Sequence, residues 1–77
     1  MPTIFICFGF VFKFFSDDHE PVHVHVVKDG HEAKFNVMQE VREVYNRGFK
    51  RHEMLIIRGL VEENAEIIEG KWKEFFK

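Results

Sequence analysis

Val22-His23-Val24-His25-Val26, then Asp29-Gly30, then Glu32-Ala33-Lys34-Phe35-Asn36-Val37 is the stretch on which the fold turns. Valine alternates with histidine, the period of two that gives a strand one apolar face. Asp-Gly between two such runs is the signature of a two-residue hairpin turn. Closing that turn sets a register on paper. Lys28 faces His31, Val26 faces Ala33, Val24 faces Phe35 and Val22 faces Val37. On the other face His25 sits opposite Lys34, and His23 opposite Asn36. A slip of one residue would set valines against charged side chains, so turn and pattern select the same pairing.

Upstream, Ile4 to Phe8 and Phe10 to Phe15 are aromatic and β-branched runs broken by Gly9, which predicts another hairpin. Ser16, Asp17 and Asp18 punctuate the chain, and Pro21 restricts the residue before it. Downstream, Val41 to Tyr45 reads as a short edge strand or the end of a wide loop, because Asn46, Arg47 and Gly48 break the pattern. From about residue 50 the period changes. Met54, Ile57, Val61, Ala65, Ile68, Trp72 and Phe75 step by three or four, a helical stripe that Leu60 and Ile67 widen. Gly59 or Gly70 can mark a bend that splits the region near Asn64, and no capping box precedes it. The expected architecture is α+β and a single domain, residues 1–77. It has an antiparallel sheet of four or five strands, with hairpins at about 3–15 and 22–37 and an edge strand at 41–45. One long or bent C-terminal helix, about 50–76, packs on the face that carries the valines, Ala33, Phe35, Phe12 and Phe14.

Composition narrows the class. The chain has 77 residues, 45% hydrophobic, and ten of them are Phe. A domain of this size buries only about 60% of the surface its unfolded chain exposes, and large rings supply much of that area. The hydrophobicity excludes a disordered chain. A lone cysteine, Cys7, excludes a disulfide scaffold and reads as a small buried hydrophobe. The apolar run from Ile4 to Phe12 is too short to span a bilayer and lacks the features of a signal peptide. A cytoplasmic setting without membrane contact is the resulting expectation. The first 53 residues hold seven basic and eight acidic side chains, so no basic footprint marks a nucleic-acid surface.

Asp18-His19-Glu20-Pro21-Val22-His23-Val24-His25-Val26, with Glu32-Ala33-Lys34-Phe35 and the Phe-rich hairpin before them, resembles the DUF4160 domain, a small prokaryotic family of unknown function. The tail Val61-Glu62-Glu63-Asn64 with Trp72 is similar to that family's C-terminal helix. Such domains often carry Pro where this chain has Val22. The resemblance implies a bacterial or archaeal origin and a toxin-antitoxin-like setting. It implies no activity.

Three readings are candidates for function. His23 and His25 point to one side of their strand, roughly 7 Å apart by strand rise, and His19 lies just upstream. Three imidazoles can ligate a divalent metal, with Asp17, Asp18, Glu20 or Glu32 completing the shell. The spacing matches no zinc signature, and the plainer expectation leaves both rings half exposed on an open sheet face beside Lys34 and Asn36. The same pair can act as acid and base, with Lys34 stabilising a phosphorane-like charge, which describes a small nuclease or other hydrolase. The third candidate is the first hairpin. Both of its faces are apolar and one helix can cover only one. Ile4, Ile6, Val11 and Phe15 are the expected contact residues for a partner protein or a homodimer. Between these, a protein-binding domain is the expectation and the hydrolase the alternative.

Overall fold

The computed structural model describes residues 3–76. Five strands, β1 (Thr3–Cys7), β2 (Phe10–Lys13), β3 (His23–Lys28), β4 (His31–Asn36) and β5 (Arg42–Arg47), precede two helices, α1 (Arg51–Glu63) and α2 (Ala65–Phe75). The strands form one antiparallel meander in chain order.

The central hairpin has the register expected from its pattern: His23 opposite Asn36, Val24 opposite Phe35, His25 opposite Lys34 and Val26 opposite Ala33. Val22 precedes the strand, yet its carbonyl still accepts the Val37 N–H at 3.0 Å. Asp29 and Gly30 both take positive φ, +52° and +79°, as a two-residue turn matched to strand twist requires. The first hairpin closes the same way on Phe8 (φ +53°) and Gly9 (φ +81°). Phe8 therefore belongs to the turn and not to the strand that its apolar neighbours suggest.

The fifth strand exists and runs further than its sequence indicates. β5 continues through Asn46 and Arg47 because an edge strand needs backbone pairing more than an apolar face. Asn46 then closes the passage into α1. Its side chain accepts the Phe49 N–H and donates to the Phe49 carbonyl, both at 2.9 Å. Phe49 is buried there against Phe10.

The helical region is two helices, broken at neither glycine but at Asn64. Its side-chain amide donates to the Leu60 carbonyl at 2.8 Å, competing with the helical ladder at that point. At the start of α1, Glu53 accepts the Lys50 N–H at 2.9 Å, the return half of a capping box. The lysine before the helix offers no capping oxygen, which hid this contact from the sequence.

The core lies between helices and sheet. Phe12, Phe14, Val24, Val26, Ala33 and Phe35 meet Ile57, Val61, Ile68 and Trp72, all buried. Arg58 ties α1 down, donating to the Val41 carbonyl at 2.9 Å while its guanidinium lies over the Phe35 ring. Phe75 and Ile67, at stripe spacing, are exposed instead. No helix among the described residues is long and apolar enough to cross a membrane.

Candidate functional site

β3 turns its valines to the core, so His23 and His25 point to the opposite side. That side is not open. The two residues are 3% and 4% exposed, which corrects the expectation of half-exposed rings. The cover comes from outside the hairpin. Phe15 stacks on the His25 ring at a centroid distance of 3.9 Å, and Trp72 meets the His23 ring edge-on at 5.0 Å. Asp18 closes the remaining side.

A tight turn aims Asp18. Its N–H donates to the Phe15 carbonyl at 3.1 Å, and its Oδ2 accepts the Phe15 N–H at 2.8 Å. The carboxylate then lies between the two imidazoles. Oδ1 is 3.2 Å from His25 Nε2, and Oδ2 is 3.2 Å from His23 Nε2.

The remaining ring nitrogens settle which atoms carry protons. His23 Nδ1 lies 2.8 Å from the Pro21 carbonyl, which can only accept, so Nδ1 donates. His25 Nδ1 lies 3.0 Å from Glu32 Oε2, and this oxygen also accepts the Tyr45 hydroxyl. With Nδ1 protonated on both rings, each Nε2 is turned toward Asp18. The His25 contact is aligned as a hydrogen bond in which Nε2 donates, because the Asp18 carboxylate can only accept. The His23 contact is equally short, but it is misaligned for one, and His23 Nε2 is a buried polar atom with no hydrogen-bond partner among the described residues.

Charges around the cluster follow from these contacts. Burial alone would raise the Asp18 carboxyl, but the Phe15 N–H and the two imidazoles outweigh it and hold the group below its ordinary value. Glu32 behaves likewise: burial raises it, while the Tyr45 hydroxyl and His25 pull it lower still. Burial, reinforced by the Glu32 carboxylate, pushes the Tyr45 hydroxyl up to about 12. Two carboxylates thus bracket the imidazoles.

The candidate residues divide accordingly. His23 and His25 come together, with Asp18 rather than His19 as their partner; their ligand atoms all lie within 4.8 Å of one another, a group able to hold a metal ion. His19, Asp17 and Glu20 are exposed. Lys34 is opposite His25 in the ladder, between it and Tyr45. On the first hairpin, Ile6 pairs with Val11 and Val11 with Val27, leaving Ile6 64% exposed and Phe8, at the turn, 73%. Ile4 leaves that face. A bulge between Thr3 and Phe5 sends it against the core, where it lines an open groove with Phe14 and Phe75. Phe15 is a roof over His25 rather than a free surface. Phe8 was not singled out from sequence, nor was Tyr45 as a partner of Glu32. Tyr45 on the same face as Lys34 would have been found had β5 been paired on paper. Gly9 was the one signal for Phe8.

A family model described as a domain of unknown function (DUF4160) matches residues 9–73. The chain belongs to the DUF4160 family. No curated protein and no solved structure gives a significant match. The matched span contains all of the Asp18, His23, His25, Glu32 and Tyr45 cluster, and leaves β1 outside.

Proposed function

We propose that this DUF4160 domain is a protein-binding module that works through the outer face and free edge of its first hairpin, as one half of a toxin-antitoxin-like pair. The observation that carries the reading is Phe8. A large aromatic residue at φ +53° costs on the order of 1–3 kcal/mol of backbone strain, and here it is held at a hairpin tip with 73% of its surface in solvent. The positive φ closes the turn, but a small residue would do that as well, and the exposed ring buries nothing in the fold; a partner that receives the ring accounts for it. Ile6 and Val11 extend the apolar surface down the strands, and β1 lies at a sheet edge, where an added strand finds backbone donors and acceptors. Leu55, Ile56 and Ile67 are exposed on the helices, but they come with no strand edge. The pairing with a second small protein rests on the family resemblance.

Sedimentation and co-purification from the native host test it, with wild type beside Phe8→Ala, Ile6→Asp and Val11→Asp. Self-association or one stoichiometric partner, lost in the variants while circular dichroism is unchanged, supports the reading. A wild-type monomer that retains no partner, or a partner indifferent to all three substitutions, ends it.

A hydrolase using His23, His25 and Lys34 is the second reading, favoured by the convergence of two Nε2 atoms. Burial weighs against it, since Phe15 and Asp18 would have to lift before a substrate could reach either nitrogen. Cleavage of single-stranded RNA by wild type and not by a folded His25→Ala variant would restore it; an inert wild type removes it.

A further inference from the structure

We propose that Asp18, His23 and His25 form a binding site for one divalent transition-metal ion, zinc or a metal of similar ligand preference, which clamps the turn at residues 15–18 onto β3. The proposal is independent of the hairpin surface and of any catalysis.

Four observations converge. First, the donor set of two imidazole nitrogens and a carboxylate oxygen suits zinc and its first-row neighbours. Second, both imidazoles are already oriented as ligands. Each Nδ1–H is engaged, by the Pro21 carbonyl and by Glu32, which leaves Nε2 as the coordinating atom. An outer partner of this kind fixes ring orientation and tautomer around bound metals, and here the Tyr45 hydroxyl holds Glu32 in turn. Third, the spacing fits. Ligand atoms bonded at ~2.0–2.2 Å to a common ion lie about 3–3.5 Å apart at tetrahedral to octahedral angles. His23 Nε2 is 3.2 Å from Oδ2 and His25 Nε2 3.2 Å from Oδ1, and one ligand atom from each of the three residues lies within 4.8 Å of the others, so a small closing of the turn brings them to a common ion.

Fourth, a proton does not account for His23. Its Nε2 is buried and faces Asp18 Oδ2, yet an N–H there finds no aligned acceptor. A buried imidazole nitrogen aimed at a carboxylate without a hydrogen bond between them is the arrangement an ion resolves, because a cation accepts both lone pairs. Asp18 retains 10% of its side-chain surface in solvent, which gives an ion access from the loop side.

Tag-free protein stripped with a chelator and titrated with Co(II) tests the site. The expected result is visible d–d absorption saturating at one equivalent, displaced by Zn(II), with a rise in thermal midpoint when zinc is present. Asp18→Asn should lose the absorption or weaken binding at least tenfold. Because Asp18→Asn can also disturb the turn, a second variant keeps the test decisive. His19→Ala, His31→Ala and His52→Ala together remove the three exposed histidines and leave the cluster intact; this variant is expected to bind like wild type. No cobalt spectrum in wild type, a spectrum lost in the triple variant, or one retained unchanged in folded Asp18→Asn, each overturns the proposal.

Discussion

Tyr45 is the chain's single tyrosine, so its ionisation can be followed by absorbance without interference. Its hydroxyl donates to Glu32, the carboxylate that orients His25, and it sits partly buried on the outer face of β5. Burial and that carboxylate raise the phenol from 10.0 to about 12. A group whose folded value is raised stabilises the fold fully below its unfolded value, near 10, and ceases to do so as pH rises through the folded one. The full shift would correspond to roughly 2–3 kcal/mol at 1.36 kcal/mol per pH unit. Glu32 keeps 25% of its side-chain surface in solvent, so screening lowers this to about 1–2 kcal/mol. Tyr45→Phe removes only the hydrogen bond to Glu32, not the burial, and is expected to lose about 1 kcal/mol at neutral pH. Because burial penalises the phenolate, the difference from wild type should shrink above pH ~10 and change sign as pH passes the folded value of about 12. Urea unfolding across that range measures it, with phenolate absorbance read beside far-UV circular dichroism so that only folded protein is counted. A folded-state titration near 10, or a Tyr45→Phe curve parallel to wild type throughout, would refute the reasoning.

Other perturbations separate core from surface and site from scaffold. Phe35→Ala opens a hole beneath α1 opposite Val24 and should cost about 3–5 kcal/mol, a large part of the roughly 4–12 kcal/mol a domain of this length has. Leu55→Ala, on the exposed side of α1, should stay within about 0.5 kcal/mol; urea titration followed by Trp72 fluorescence distinguishes them, and equal losses would contradict the assigned helix face. Asp18 and Glu32 are both held below their ordinary values, so their contribution is present above pH ~4 and fades as pH falls through the folded values. Asp18→Asn should flatten the acid limb of stability against pH in the same urea assay, and an unchanged limb would count against the cluster. Gly48→Ala meets φ +110° and drives a Cβ into the His31 ring, so a loss of about 1–3 kcal/mol is expected. Gly59→Ala, in α1 with open space around it, should instead gain about 0.5–1 kcal/mol, read as a higher thermal midpoint.

What the sequence reveals follows the range of the interactions. Val22, Val24 and Val26 with Asp29-Gly30 are local, and they fix the central register because turn and pattern act within a few residues. The helix stripe likewise identifies Ile57, Val61, Ile68 and Trp72. Strand β5 was harder to see because its Arg42-Glu43 start carries no apolar alternation and its stability comes from pairing with β4. The burial of the histidines was hidden for a related reason. Phe15 covers His25 from the preceding strand's end, Trp72 reaches His23 from the far end of the chain, and no local pattern encodes either contact. Proximity in sequence favoured His19 as a third ligand, but the Phe15–Asp18 turn decides direction and brings Asp18 in instead. Ile4 was displaced by a bulge, a feature alternation cannot report.

The claim on which the site depends is that outer partners hold a proton on Nδ1 of both buried imidazoles and turn both Nε2 atoms toward Asp18. Long-range proton–nitrogen correlation spectra of the metal-free protein read this directly. The account expects a proton on Nδ1 of both His23 and His25; an unprotonated Nδ1 on either ring in the folded protein would contradict it.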